Sequence, residues 1–175
     1  MDEFDALFDS FRATVYRLET LPVYNVGGDE ADRIAAFLDG RARPEVSIRS
    51  SPWLARIARG TLYGKRWSRT RVVDDPLTDY QRYQLESYRE GQAVGTETRV
   101  VRRADLSDDG PDFWLFDAGL PTEHAVLMHY DADGRWLGAD PVVEASELAT
   151  LRNRQAAADA VSVPFNEFLA QVRGG

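Results

Sequence analysis

The sequence predicts an α+β fold: a single domain over residues 1–175, with a mainly antiparallel sheet of about five strands. The length of 175 residues is that of one domain. Apolar residues recur at helical spacing in the first third and in the tail, while most predicted strands follow one another after short turns. Strands joined by short turns pair antiparallel, which favours α+β over a doubly wound parallel sheet.

The first third of the chain predicts three helices. Apolar side chains at helical spacing over 4–15 predict an N-terminal helix that ends at Pro22. Paired glycines lead into a second helix over about Asp29–Asp39. Ser51-Pro52 joins a capping residue to a proline suited to the first helical turn, so a third helix begins there and ends near Gly64.

The remainder predicts strands with helices after the first long strand and in the tail. Arg66–Val73 is rich in β-forming residues and contains no breaker, which predicts that first long strand. Asp75-Pro76 repeats the capping signal and predicts a helix over about Leu77–Tyr88. The tail predicts helices over about Ser146–Ala160 and from Pro164 onward. Four shorter segments predict the other strands: Glu97–Arg103, Phe113–Phe116, Ala125–Tyr130 and Arg135–Asp140.

Turn residues separate these strands. Asp108–Asp112 places glycine and proline beside aspartates, as turns do. Asp131–Gly134 predicts a hairpin loop in which the glycine supplies a positive φ. Phe113–Phe116 is apolar throughout. We therefore expect it to be a central strand between the 97–103 and 125–130 strands, with helices over both faces or a partner against one of them.

Composition excludes several classes of function. Cysteine is absent, which excludes disulfide scaffolds and cysteine-ligated metal sites. His124 and His129 do not share a strand face, and we expect no metal. No phosphate-binding or dinucleotide glycine motif occurs, and we expect no cofactor. No apolar stretch approaches the roughly 18 residues of a membrane span, and the acidic N-terminus lacks a signal-peptide pattern, so the expected location is cytoplasmic.

Charge is distributed unevenly along the chain. The formal net charge is −8, yet residues 46–73 hold seven basic side chains and no acidic one. The remaining residues hold 14 basic and 29 acidic side chains. The basic segment has two interpretations: a local anion site, or a solvated surface that pairs with acids elsewhere in the fold. With this overall balance we expect no direct binding of duplex DNA.

The predicted strand 66–73 carries a candidate ligand-binding cluster. Trp67, Arg69 and Arg71 alternate along it and therefore share one face. Aromatic and arginine side chains on one face can hold a planar anion by stacking and bidentate hydrogen bonds.

The helix that follows carries a second cluster, formed by Tyr80, Arg82, Tyr83 and Glu86. The short connection must fold this helix back near the strand, which brings the two clusters within reach of each other. Structural interpretations stay open for both. Arg82 and Glu86 can form an ordinary surface pair, and the tyrosines can pack in the core.

Segments spread over nearly the whole chain carry a resemblance to a known family. They are Phe11-Arg12, Tyr16–Tyr24, Arg69–Val73, Pro76–Tyr83, Phe113–Asp117, Met128–Gly134 and Val163–Phe168. In these segments the sequence resembles the uncharacterised actinobacterial domain-of-unknown-function 6879 family. Only Lys65 is a lysine among the 21 basic residues, and such arginine-rich usage agrees with a GC-rich source.

The resemblance implies little about activity. Members of the family that the sequence resembles are often encoded beside small helix-turn-helix regulators, which implies a regulatory or conflict-system role. It draws attention to polar residues that packing alone does not require, among them Arg17, Glu19, Asp79 and Asp117. We expect Arg17 and Glu19 to join the strand and helix clusters. The candidate ligand-binding residues are then Arg17, Glu19, Trp67, Arg69, Arg71, Tyr80, Arg82, Tyr83 and Glu86.

Two functions follow as expectations. The first is a non-enzymatic protein that binds a neighbouring helix-turn-helix regulator, with a small anion as a candidate ligand. The alternative is an enzyme or toxin that acts on a phosphate-bearing or nucleotide substrate through the Arg/Tyr/Glu cluster. One structural question bears on both. Either Glu19, Asp79 and Glu86 neutralise the arginines internally, or the arginines exceed the nearby acids and mark an anion or nucleotide site.

Overall fold

The computed structural model of the protein describes residues 3–42, 46–107 and 110–174. Within these residues the chain forms helices on both sides of one mixed sheet. The helices are α1 (Glu3–Ser10), α2 (Asp29–Leu38), α3 (Pro52–Leu62), α4 (Asp79–Gln92), α5 (Ala145–Val161) and α6 (Phe165–Gly174). The strands are β1 (Thr14–Glu19), β2 (Arg66–Val73), β3 (Thr96–Arg102), β4 (Phe113–Phe116), β5 (His124–Tyr130), β6 (Trp136–Val142) and β7 (Val163–Pro164).

The α+β class is confirmed, and four of the six described strand pairings are antiparallel, but the sheet is mixed and larger than the five strands expected. The described residues form a seven-stranded sheet in the order β6-β5-β4-β1-β2-β3-β7. Its centre is parallel, because β1 pairs with β2 and β2 with β3 in the same direction. Helices connect these three strands, and such crossovers return the chain in a parallel direction. The short turns that predicted antiparallel pairing occur only from β4 to β6.

The main error lies in the N-terminal segment, where one helix to Pro22 was expected. The helix α1 ends at Ser10, and β1 follows. Asp117 separates the two elements, since its carboxylate accepts hydrogen bonds from the backbone N–H groups of residues 12, 13 and 14. The strand β1 is buried on both faces, so its apolar residues do not alternate with polar ones as they do in a half-buried strand. The sequence therefore shows no change of period where α1 ends.

Two further expectations are corrected. The helix after β2 begins at Asp79, because Thr78 and Gln81 form a capping box, and Asp75-Pro76 is not its start. The strand Phe113–Phe116 is central as expected, but its neighbours are β1 and β5. Its expected neighbour, the 97–103 segment, pairs instead with β2 and β7.

Other local predictions are confirmed. The strand Arg66–Val73 has the expected bounds. The Ser51 side chain caps α3 by accepting a hydrogen bond from the Leu54 N–H, with Pro52 in the first turn. Gly134 has a φ of 77° in the hairpin between β5 and β6. Asp108 and Asp109 of the predicted turn cluster lie outside the described residues.

The two faces of the sheet differ in chemistry. One face is an apolar core under α5, where Leu148 and Leu151 meet Leu18, Val72 and Phe113. On the opposite face, an aromatic cluster at the start of β1 and β2 packs under α1 and α3. A second cluster, of tyrosines, lies near the carboxyl ends of these strands. Charged side chains occupy the space between the two aromatic clusters, and this is where the candidate site lies.

Candidate functional site

A cavity of about 350 Å³ lies above the centre of the sheet. Residues of β1, β2 and β3 contribute to its lining, together with residues of α2, α3 and α4. Among the described residues, charged and aromatic side chains dominate the lining: Arg17, Arg33, Arg69, Glu19, Glu30, Glu90, Tyr24, Trp53, Tyr80, Tyr88, Tyr130 and Trp136.

One row of side chains crosses the sheet beneath this cavity. Arg17 of β1 pairs in register with Arg69 of β2, and Arg69 pairs with Thr98 of β3. Because alternate residues of a strand share a face, Glu19 and Arg71 lie in the next row. The parallel register thus gathers residues that are distant in sequence into one buried cluster of charges, defined here by Arg17, Glu19, Arg69, Arg71 and Asp112.

Arg71 is fully buried, and every nitrogen of its guanidinium has a partner. Nε donates to Gln84 Oε1 at 2.7 Å, Nη1 to the Glu19 carbonyl at 3.1 Å and Nη2 to the Leu21 carbonyl at 2.6 Å. The guanidinium also lies over the Tyr24 ring at 5.3 Å. These contacts fix the chain leaving β1 against α4, so Arg71 has a structural role.

Glu19 is the shared acid of the cluster. Its carboxylate accepts hydrogen bonds from the Tyr88 hydroxyl at 2.5 Å and from Arg69 Nη1 at 3.3 Å, and lies 3.9 Å from Arg17 Nε. Burial alone would raise the pKa of this carboxyl. The surrounding guanidinium groups and the Tyr88 hydroxyl outweigh burial and lower the pKa, so Glu19 is ionised at neutral pH.

Asp112 is the second acid, and its side chain has no exposed surface. It accepts hydrogen bonds from the Thr20 N–H and hydroxyl, from the Tyr24 hydroxyl at 2.5 Å, and from Arg17 Nη2 at 2.8 Å. The sequence analysis assigned Asp112 only to a turn. No local signal could have revealed its role, because its partners lie about 90 residues earlier in the chain.

Arg17 differs from Arg71 although both are buried. It is 4% exposed, and only its Nη2 group has hydrogen-bond partners, the Asp112 carboxylate and the Tyr130 hydroxyl at 2.9 Å. Nε and Nη1 are buried without a hydrogen-bond partner among the described residues. The guanidinium lies over the Trp114 ring at 5.1 Å. A buried cation with unused donors is unfavourable unless another acceptor satisfies them.

The other unpartnered polar atoms of the lining lie in the same cavity. Arg33 pairs with Glu90 at 2.7 Å through Nη2, while its Nε has no hydrogen-bond partner. The Thr96 and Thr98 hydroxyls on β3 are also buried without a partner in the described part of the chain. Polar groups without hydrogen bonds, on three elements, therefore line one cavity, as is typical of a binding site for a polar ligand.

The structure brings together most of the predicted site residues. Tyr80 lines the cavity and contacts Tyr24 at 5.8 Å between ring centroids. Tyr83 does not line the cavity and is fully buried against Phe37, as in the alternative in which the tyrosines pack in the core. Trp67 lies in the neighbouring aromatic cluster and does not line the cavity, whereas Trp53 does.

Arg82 and Glu86 do not join the site. Arg82 is half exposed and pairs with Asp79, three residues earlier. Glu86 is 42% exposed and pairs with Arg89, so the expected pair of Arg82 with Glu86 does not form. Both lie on the outer side of α4, because a rotation of about 100° per residue turns them away from the buried face of Tyr80, Gln84 and Tyr88.

Internal neutralisation is thus partial. Of the acids expected to neutralise the arginines, Glu19 does so, whereas Asp79 and Glu86 lie at the surface. Asp112 replaces them, which leaves three arginines against two carboxylates in the cluster. Tyr88 is a further member that the sequence analysis missed as a site residue. The available signal was its position four residues after Gln84 and eight after Tyr80, on the same helix face.

Comparison with known proteins gives one match. A family model described as domain of unknown function (DUF6879) matches residues 2–170. No curated protein and no solved structure matches the chain significantly. Across the described residues, no helix combines the length and apolar character needed to cross a membrane. Within the same residues, no group of three or more acidic or histidine side chains could hold a metal ion.

Proposed function

Because the chain belongs to the DUF6879 family, whose description specifies no activity, we propose its function from the cavity. The protein binds a small ligand that carries an anionic group, and Arg17 holds that group. The observation that carries the proposal is the pair of nitrogens without a hydrogen bond in the described residues, Nε and Nη1 of the buried Arg17 guanidinium in the cavity wall.

The energetics support a ligand at this position. A buried polar group without a partner destabilises the folded state by about 1–3 kcal/mol, and more when it is charged. Arg17 also pairs with the buried Asp112 and lies over the Trp114 ring, so folding accounts for the cation but not for the two nitrogens that lack a hydrogen bond. An anionic ligand would supply the missing acceptors, and hydrogen bonds to charged groups are the stronger kind.

The cavity sets the size and shape of the ligand. A volume of about 350 Å³ is at the lower end of small-molecule sites. Tyr24, Tyr80, Tyr130, Trp53 and Trp136 provide ring faces for an apolar or planar body. The ligand is therefore a compact molecule with an anionic group at the sheet and an apolar portion against the helices and the β5–β6 hairpin.

A ligand panel tests the proposal. Thermal unfolding and tryptophan fluorescence would be followed with inorganic phosphate, sulfate, mononucleotides, short carboxylic acids and L-amino acids. At 100 times its dissociation constant, a specific ligand raises stability by about 2.7 kcal/mol. We expect such a shift for the wild-type protein and for Arg66→Met, whose arginine is 69% exposed, but not for Arg17→Met.

Two results would reject the proposal. One is the absence of any shift in the wild-type protein with every compound at millimolar concentration. The other is an unchanged response of Arg17→Met to a compound that stabilises the wild-type protein.

The helix-turn-helix partner stays a prediction of the family resemblance, as do the actinobacterial source and the cytoplasmic location. The net charge of −8 supports the helix-turn-helix partner, since an acidic protein can bind the basic surface of a DNA-binding protein. Co-expression with the neighbouring regulator and size-exclusion chromatography test it. Co-elution is the expected result, and two independent peaks at micromolar concentration would count against it.

The alternative of an enzyme or toxin with a phosphate-bearing substrate has less support. It placed Arg82 and Glu86 at the reacting centre, and both side chains lie outside the cavity. Induced expression of the chain alone, with and without Arg69→Ala, tests this alternative. Toxicity relieved by the substitution would favour it over simple binding.

A further inference from the structure

Glu30, which the sequence analysis did not select, has an unusual position in the cavity wall. It lies in the first turn of α2, is partly buried and lines the same cavity as Arg17. The other acids of this region are paired: Glu19 with Arg69, Glu90 with Arg33 and Asp112 with Arg17. Within the described part of the chain, Glu30 forms no hydrogen bond or ion pair.

The Glu30 carboxylate lacks a donor, just as two nitrogens of Arg17 lack a hydrogen-bond acceptor in the described residues. Burial raises the pKa of Glu30, because the nearby cations of the described residues do not offset the loss of water around its ionised form. Arg33 lies near enough to oppose the shift, but its Nη2 group is engaged by Glu90. A hydrogen-bond donor or cation from outside the chain would satisfy Glu30, just as an acceptor would satisfy Arg17.

The total charge of the lining points the same way. Three arginines and three glutamates line the cavity within the described residues: Arg17, Arg33, Arg69, Glu19, Glu30 and Glu90. A balanced lining offers little attraction for a multiply charged anion such as a nucleotide, and it suits a ligand of zero net charge with separated charges.

We propose that the ligand is a zwitterion of the amino-acid type, with its anionic group at Arg17, its protonated amine at Glu30 and its side chain against the aromatic wall. Tyr80 lines the same cavity as Glu30, and its ring can support the amine by a cation–π contact. This inference rests on the proposed function and specifies the ligand class for the same cavity.

Matched compounds test the amine separately from the anion. Isothermal titration would compare L-amino acids from glycine to tryptophan, each with its deaminated acid and its decarboxylated amine. We expect at least one amino acid to bind at least 10-fold more tightly than either matched compound. Glu30→Gln should remove the advantage of the amino acid over its deaminated acid, whereas Glu86→Gln, at an exposed carboxylate outside the cavity, should retain it.

The outcomes distinguish this inference from the proposed function. If a deaminated acid binds as tightly as its amino acid and loses affinity in Arg17→Met, the anion site stands and the zwitterion is rejected. If Glu30→Gln retains the full preference for the amino acid, the role of Glu30 is rejected. If no acid or amino acid binds the wild-type protein, the zwitterion is rejected, and the proposed function is wrong as well only if phosphate, sulfate and mononucleotides also fail to bind. Thermal unfolding of each variant establishes that it is folded before titration.

Discussion

The two buried arginines at either end of the charge cluster have opposite environments. Arg71 has a partner for every guanidinium nitrogen, and these partners belong to β1, the chain after it and α4. Arg17 lies on the adjacent strand and the same face of the sheet, yet two of its three nitrogens lack a hydrogen-bond partner in the described residues. Burial and charge are the same, and only the satisfaction of the donors differs.

This difference separates structure from function within one cluster. A fully satisfied buried arginine ties elements together, and the folded state is complete without a ligand. In a partly satisfied buried arginine the remaining donors lack acceptors at a cost in free energy, so those donors indicate a binding role. The following substitutions test this distinction.

Substitution at the satisfied end has the largest expected effect. Arg71→Met leaves two backbone carbonyls and the Gln84 amide without their donor, which should lower the free energy of unfolding by about 3–5 kcal/mol. Chemical denaturation measures this, with Arg66→Met as a surface control that should change stability by less than about 0.5 kcal/mol. A loss below about 1 kcal/mol for Arg71→Met would contradict its structural role.

Removal of the buried acid should rank second. Asp112→Asn keeps the shape of the side chain but leaves Arg17 without its closest counter-charge, and we expect a loss of about 3 kcal/mol. Asp79→Asn is the matched control, because Asp79 is 63% exposed. Equal effects of the two substitutions in thermal unfolding would show that Asp112 is not essential to the cluster.

Substitution at the unsatisfied end should be milder. In Arg17→Met, Asp112 keeps its hydrogen bonds from Thr20 and Tyr24, and the penalty of the unused donors disappears. We expect a loss of about 1–2 kcal/mol together with complete loss of the ligand-dependent stabilisation. If Arg17→Met is as destabilising as Arg71→Met, the proposed difference between the two ends is wrong.

The smallest expected effect has the opposite sign. A carboxyl whose pKa is raised in the folded state destabilises that state when it ionises. Glu30→Gln should therefore be more stable than the wild-type protein at pH 7, by up to about 1 kcal/mol. The gap should close as the pH falls below the ordinary carboxyl value of 4.5. A Glu30→Gln protein that is less stable at pH 7 would show that Glu30 supports the fold.

Local patterns predicted the elements better than their arrangement. Alternation along Arg66–Val73 correctly placed Trp67, Arg69 and Arg71 on one face, because the period of a strand depends only on its own residues. The parallel order of β1, β2 and β3 depends on crossover helices, and composition and spacing do not determine that order. The first strand was missed because the Asp117 carboxylate that marks its start lies about 100 residues later.

The site was predictable to a similar degree. Residues on β2, and those of α4 that face it, were found because one short connection joins the two elements. Arg82 and Glu86 were misplaced because the sequence analysis did not separate the faces of α4, whose rotation of about 100° per residue turns both away from Tyr80 and Gln84. Asp112 and Glu30 were missed because each enters the site from a distant part of the chain, and neither lies in a motif that local patterning recognises.

The Nε–H groups of Arg17 and Arg71 allow the most direct test of this distinction. Their proton–nitrogen correlations can be assigned by Arg17→Lys and Arg71→Lys and followed while an amino acid that stabilises the protein is added. The Arg17 Nε–H resonance should shift in a saturable manner as its donor gains an acceptor, and the Arg71 resonance should stay in place. An unmoved Arg17 resonance, or equal shifts of both, would contradict the assignment of Arg17 to ligand binding and Arg71 to structure.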